Sequence, residues 1–137
     1  MMKFEYQVQS GDFTNAGFAS SQVKKTLKQL NVDSSIIKRV VVALYEAEVN
    51  IVAHAHKGVI YVTLHNDKIE IKLEDEGPGI PDIDLAMTVG FSTASPQVRE
   101  MGFGAGMGLP NIKNNVDYLN VKSEVNVGTT VEMIVNF

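Results

Sequence analysis

The chain contains no cysteine and no tryptophan. Lacking cysteine, it can have no disulfide framework, no thiolate metal site and no cysteine nucleophile. Long apolar runs are also missing; none approaches the ~20 residues that span a bilayer, so no transmembrane helix and no membrane partner are expected. Nor is there an excess of positive charge. Twelve Lys+Arg stand against 16 Asp+Glu, for a net charge of −4, which argues against a nucleic-acid partner or a polybasic membrane contact. The opening stretch MMKFEYQVQSGDF carries one lysine and no apolar run, so it does not read as a signal peptide. No internal repeat or low-complexity segment occurs. What is present is 137 residues, 45% of them hydrophobic. That suits one domain over 1–137 whose single core hides roughly two-thirds of the surface of the unfolded chain. The expectation is a mildly acidic, soluble, cytoplasmic domain.

Phe4, Tyr6 and Val8 alternate with Glu5, Gln7 and Gln9, the period of a strand, and Ser10-Gly11-Asp12 closes it as a turn. A helix is expected from about 14 to 30, with Phe18, Val23, Leu27 and Leu30 as core candidates. A second helix is expected over about 34 to 56, with Asp33 or Ser34 as its cap and Gly58 as its end. Ile37, Val40, Leu44 and Ile51 fall within about 40° of one line on it. Val42 and Val49 lie outside that stripe, so the helix is expected to be buried on more than one side. Yet Glu46 and Asn50 sit one turn apart, nearly opposite Leu44, and polar groups on a largely buried helix need partners or a task.

Two strands follow, Val59–Leu64 and Lys68–Leu73, joined through the turn residues Asn66-Asp67. Between Asp75 and Gly108 regular patterning stops, apart from a short helix near 82 to 88, and seven of the eleven glycines fall between Gly77 and Gly108. Helical periodicity returns with Leu109, Ile112, Val116 and Leu119, Pro110 falling in the first turn. Strands over about 119 to 125 and 129 to 136, joined by Asn126-Val127-Gly128, end the chain. This order reads as an α+β fold, a two-layer α/β sandwich with helices on one face of a mixed, mostly antiparallel sheet.

Gly102-Phe103-Gly104-Ala105-Gly106-Met107-Gly108 sets glycine at every second position directly before a helix. Glycine lets backbone amides approach an anion, and a helix N-terminus adds unpaired N–H groups and a positive dipole end. A phosphate or polyphosphate is the natural ligand; the alternative is a mobile loop that happens to be glycine-rich. The segment is not a Walker A loop, since no GxxxxGK[ST] occurs, and not a dinucleotide fingerprint, which would need glycine at Met107 or Leu109 after a strand. Asp75-Glu76-Gly77-Pro78-Gly79-Ile80 ends a strand with a carboxylate that can accept from an exocyclic amine, beside glycines against which a flat base can slide. Alone it is also an ordinary turn. Asn50 suits Mg²⁺ as a hard neutral ligand, and Glu46 one turn away can take a proton from a hydroxyl or water. The plain alternative is a solvated helix face.

Taken together and in this order, ExxxN, DxGxG and GxGxG before a helix resemble the Bergerat-type (GHKL) ATPases, the superfamily of gyrase, heat-shock chaperone, histidine-kinase and mismatch-repair ATPases. Within it, Glu46-Ala47-Glu48-Val49-Asn50-Ile51-Val52-Ala53-His54-Ala55 is similar to the first motif of the small anti-sigma-factor serine/threonine kinases and related switch kinases. The resemblance implies the Bergerat ATP-binding fold, with ATP and Mg²⁺ as cofactors. It implies that Asn50 holds Mg²⁺, that Asp75 binds the adenine amine with Gly77 and Gly79 shaping the base pocket, and that Gly102, Gly104, Gly106 and Gly108 line the triphosphate. Thr130 would lie near adenine and Glu46 would be the general base. Residues 87 to 106 would be an ATP lid, with Arg99 placed to approach the γ-phosphate or to stay a solvated loop residue. Ser92 and Ser95 read as turn residues of that lid. Phe91, Met101, Phe103 and Met107 make it apolar, for packing over nucleotide or against a partner.

The activity expected is transfer of the ATP γ-phosphoryl to a serine or threonine of a small STAS-type regulatory protein. The rival readings are an ATP-dependent binding switch for a sigma factor with little catalysis, and a slow stand-alone ATPase. The related kinases are often dimers, but no residue here marks an interface. His54 and His56, two apart on a helix, do not share a face as metal ligands would, and His65 sits by a hairpin turn; packing or solvent roles are expected of all three.

Overall fold

The computed structural model describes residues 1–87 and 108–137. β1 is Met2–Gln9, α1 Phe18–Gln29 and α2 Ser34–His54. The hairpin β2 (Lys57–Leu64) and β3 (Lys68–Glu76) follows, then a single turn α3 (Ile83–Ala86). After the undescribed stretch come α4 (Gly108–Asn115) and the hairpin β4 (Tyr118–Glu124) and β5 (Gly128–Asn136). The strands form one sheet in the order β1-β2-β3-β5-β4, and every neighbouring pair among them is antiparallel.

Among the described residues the helices cover one face of the sheet, which is why its strands read with period two. Ile60, Val62 and Leu64, Ile69, Ile71 and Leu73, and Val131, Met133 and Val135 point inward and are buried. The outward row carries Tyr61, Lys72 and Glu132 as register neighbours. Val40, Ala43, Leu44, Ala47 and Ile51 of α2 complete the core with Val23 and Leu27 of α1 and Leu109 and Ile112 of α4. α2 is capped by Asp33, whose Oδ1 accepts from the Ser35 N–H at 2.8 Å.

Some boundaries and burials differ from the sequence reading. α1 starts at Phe18, because Gly17 adopts φ 94° in front of it. Phe18 and Leu30 are 58% and 49% exposed rather than core, and the Phe18 ring instead meets Tyr6 edge-on at 6.4 Å. α2 stops at His54, with Ala55 already extended. Gly58 is therefore not its C-terminal cap; it lies inside β2, where a Cβ would stand 3.0 Å from the Ile51 methyls. There glycine lets strand and helix approach closely. Leu119 belongs to β4, not to the helix before it.

Candidate functional site

Asp75 lies on β3 one residue before its end, in phase with buried Ile69, Ile71 and Leu73, so its side chain faces the helix layer. Oδ1 accepts from the Thr129 N–H at 3.0 Å. Burial pushes the carboxyl above its ordinary range, against the opposing pull of the Thr129 N–H and of His56. A carboxylate has about four acceptor sites, so capacity for a further N–H donor is left. The turn after it is built by close backbone approach. A Cβ at Gly77 would stand 2.9 Å from the Ala55 Cα, and one at Gly79, where φ is +76°, 2.5 Å from the Glu124 carbonyl oxygen. The Gly77 N–H donates to the Val127 carbonyl, the Asn126 N–H to the Pro78 carbonyl, and the Ile80 N–H to Ser123 Oγ at 2.7 Å. The turn end of the β4–β5 hairpin thus holds the Asp75–Ile80 turn in place.

The polar stripe of α2 finds its partner in α4. Arg39, Glu46 and Asn50, at spacings of seven and four, fall on one side of α2. Arg39 Nε donates to the Asn115 carbonyl at 3.1 Å and its Nη2 to Asp117 Oδ1 at 3.0 Å. Glu46 Oε1 accepts from Asn111 Nδ2 at 3.3 Å. Asn50 lies against the first residue of α4, where a Cβ on Gly108 would stand 2.9 Å from its Oδ1 and 3.0 Å from its Nδ2. Here a neutral amide oxygen, a carboxylate and the positive end of a helix meet. Asn50 precedes Ala55, on which Gly77 packs, by five residues, or about 7.5 Å along the helix. The Asp75 turn and the Glu46–Asn50 pair therefore occupy one end of α2.

The structure brings together Glu46, Asn50 and Gly108, and separately Asp75, Gly77 and Gly79. Gly102, Gly104 and Gly106, Arg99 and the lid from residue 88 onward lie outside the described residues. Thr130 pairs with Glu74 and Lys122 on the outward row of the sheet, away from Asp75. Its neighbour Thr129 shares the inward face, is buried, and bonds Ser123 Oγ through Oγ1 at 2.9 Å. In Gly128-Thr129-Thr130 the sequence alone does not fix which threonine faces in; one residue of register decides it.

Two further residues escaped the sequence reading. Asn111 is one turn on from Gly108, so its position on the Gly108 side of α4 was legible, but its partner was not. Glu48 is 3% exposed, accepting from the Ala19 N–H through Oε2 and the Ser20 N–H through Oε1, both at 3.2 Å. Burial pushes its carboxyl up in spite of these bonds. It supplies from α2 the cap that Gly17 has no side chain to give α1. A charge one turn from Leu44 on the core side was the available signal. Of the histidines, His56 neighbours Asp75, His65 Nε2 lies 3.2 Å from Glu70 Oε2, and burial lowers the proton affinity of His54.

Comparison with known proteins gives this geometry a context. The family described as histidine kinase-, DNA gyrase B- and HSP90-like ATPase matches residues 35–137. The serine/threonine-protein kinase RsbT of Bacillus subtilis is 33% identical over 115 residues, covering 81% of this chain and 80% of that one. An anti-sigma F factor of Oceanobacillus iheyensis is 33% identical over 125 residues, 87% of this chain and 82% of its own. Among solved structures, one of RsbU and RsbW domains from Mycobacterium tuberculosis superposes with a TM-score of 0.65 at 15% identity. It covers 98% of this chain, which spans 32% of that longer protein. At that identity the likeness concerns the fold alone.

Proposed function

The chain belongs to the family of histidine kinase-, DNA gyrase B- and HSP90-like ATPases, and from that membership we propose that it is an ATP-dependent serine/threonine protein kinase of the anti-sigma-factor regulatory type. It transfers the ATP γ-phosphoryl to a hydroxyl of a small regulatory protein, as the name of its RsbT relative suggests. The observation that carries the reading is the packing of Glu46 and Asn50 against the first turn of α4.

The residues suit the group they would hold. Asp75 offers an inward acceptor at a strand end to the adenine amine, and Gly77 and Gly79 let the turn after it pack closely on Ala55 and Glu124. Thr129, bonded to Asp75, takes the place at the base that the sequence reading gave to Thr130. Gly108 opens α4, whose first N–H groups would face phosphate, and the sequence places Gly102, Gly104 and Gly106 before it as further candidates for lining the triphosphate. The Asn50 carbonyl is a hard oxygen of the kind Mg²⁺ accepts as one of few protein ligands; bound there, the metal supplies charge neutralisation for phosphoryl transfer. Glu46 accepts the proton of the incoming hydroxyl, and α2 fixes it one turn from Asn50. Because phosphoryl transfer rests mainly on positioning and electrostatics, a rigid helix carrying both groups is what it needs.

The acceptor is a STAS-type domain in the cytoplasm. The name of the anti-sigma F relatives favours a sigma factor as a second partner; a homodimer as the working form is part of the same proposal. A second reading, an ATP-dependent binding switch with little catalysis, is favoured by the apolar residues Phe91, Met101, Phe103 and Met107 in the sequence next to α4. Glu46→Gln separates the two. Under the kinase reading, labelled Mg·ATP still binds and phosphoryl transfer falls by about 100-fold or more; undiminished transfer removes Glu46 from the chemistry. Asp75→Asn should abolish most nucleotide affinity by calorimetry under either reading.

A further inference from the structure

We propose that Asn111 is a positioning residue for Glu46, its side-chain amide orienting the carboxylate from α4; the inference rests on the reading of Glu46 as the base. A carboxylate only accepts hydrogen bonds, so the Asn111 group facing it must be the NH₂. That bond, 3.3 Å from Nδ2 to Oε1, restrains one oxygen and leaves Oε2 to receive a proton. Without it, a glutamate with three rotatable bonds on a half-buried surface would sample several rotamers, few of them directed at the acceptor hydroxyl.

The placement of Asn111 is itself fixed. Its carbonyl accepts from Asn115 Nδ2 at 2.7 Å, and Arg39 ties the far end of α4 to α2 through Asn115 and Asp117. Gly108 and Asn111, three apart on α4, meet Asn50 and Glu46, four apart on α2. The same turn of α4 that would face phosphate through Gly108 thus holds the base through Asn111. A displacement of that turn moves both.

The test is a double-mutant cycle on the full chain, read as single-turnover loss of the γ-phosphoryl from labelled Mg·ATP, with ATP affinity measured alongside. Asn111→Ala should lower the rate about tenfold, the scale of one hydrogen bond to a charged group, with ATP affinity within about twofold of wild type. Asn111→Asp, which keeps the shape but replaces the donor by an acceptor, should be no better than alanine. In a Glu46→Gln background, Asn111→Ala should cost nothing further. Full activity of Asn111→Asp, or the same tenfold loss in both backgrounds, overturns the inference and leaves Asn111 a packing residue. A Glu46→Gln chain as fast as wild type defeats the base assignment itself. A collapsed Glu46→Gln beside an unaffected Asn111→Ala defeats only the role of Asn111.

Discussion

Replacing Gly108 by alanine tests whether Asn50 anchors the metal, because the structure makes the substitution cheap for folding and costly for the site. A methyl there would stand 2.9 Å from Asn50 Oδ1, 3.0 Å from Nδ2 and 3.3 Å from Cγ. Those are the outer atoms of one side chain and not backbone, so Asn50 rotates and the helices stay. An off-rotamer side chain costs about 0.5–1.5 kcal/mol. Alanine returns up to about 1 kcal/mol of helix propensity, less at a first helical residue, so unfolding free energy should change by no more than about 1.5 kcal/mol. Displacing an oriented ligand amide, by contrast, should weaken magnesium-dependent ATP binding roughly 10–100-fold, the range found when support around metal ligands is removed. Calorimetry with ATP in magnesium and in EDTA, beside urea unfolding, measures both quantities. Since the backbone N–H groups of α4 are unchanged, the loss should be confined largely to the magnesium arm. A Gly108→Ala chain with normal stability and an unaltered magnesium increment would refute the assignment of Asn50.

Two other outcomes follow from particular contacts. Thr129→Val should weaken nucleotide binding by removing the inward-facing hydroxyl bonded to Ser123 Oγ, while the backbone bond to Asp75 remains; Thr130→Val, on the outward row, should leave binding unchanged, and the reverse result would favour Thr130. Glu48→Ala strands the Ala19 and Ser20 N–H groups at the start of α1 and should cost about 1–3 kcal/mol in urea unfolding. The pH dependence has a definite sign: because burial raises the Glu48 carboxyl above 4.5 in the folded chain, folding binds protons and stability falls as pH rises through the interval above 4.5. Asp75 acts in the same direction above 3.8. Glu48→Gln should remove the Glu48 share of that slope; identical slopes in variant and wild type would show that this carboxylate does not titrate across folding.

The fold was legible where one face of an element is buried. Ile60, Val62 and Leu64, or Phe4, Tyr6 and Val8, alternate because the described helices pack on one face of the sheet. Legibility failed where a single glycine sets local geometry. Gly17 with φ 94° delays α1 to Phe18, and Gly58 serves a close approach to Ile51 inside β2 rather than a helix end; composition alone does not distinguish these uses. In the site, Glu46, Asn50 and Asp75 stood out as polar groups in apolar settings. Which of Thr129 and Thr130 faces the helix layer was not legible, since it needs the register of β5 with β3, and strand register is a tertiary property.

α2 ties these observations together. A helix buried on two sides normally excludes charge, because an unpaired buried carboxylate costs several kcal/mol. Here each acidic residue of the Glu46–Asn50 segment is matched to a different helix: Glu48 to the N–H groups opening α1, Glu46 to the amide of Asn111 on α4. The difference in burial assigns the difference in task. Glu48, buried and bonded to the two N–H groups that open α1, acts on stability. Glu46 is half-buried and, among the described residues, has one side-chain donor, on Oε1. Two residues of identical chemistry, two positions apart, thus divide between holding the fold and, under the proposed reading, serving the reaction. Exchanging the Asn111 donor should change rate, and exchanging the Glu48 carboxylate should change stability.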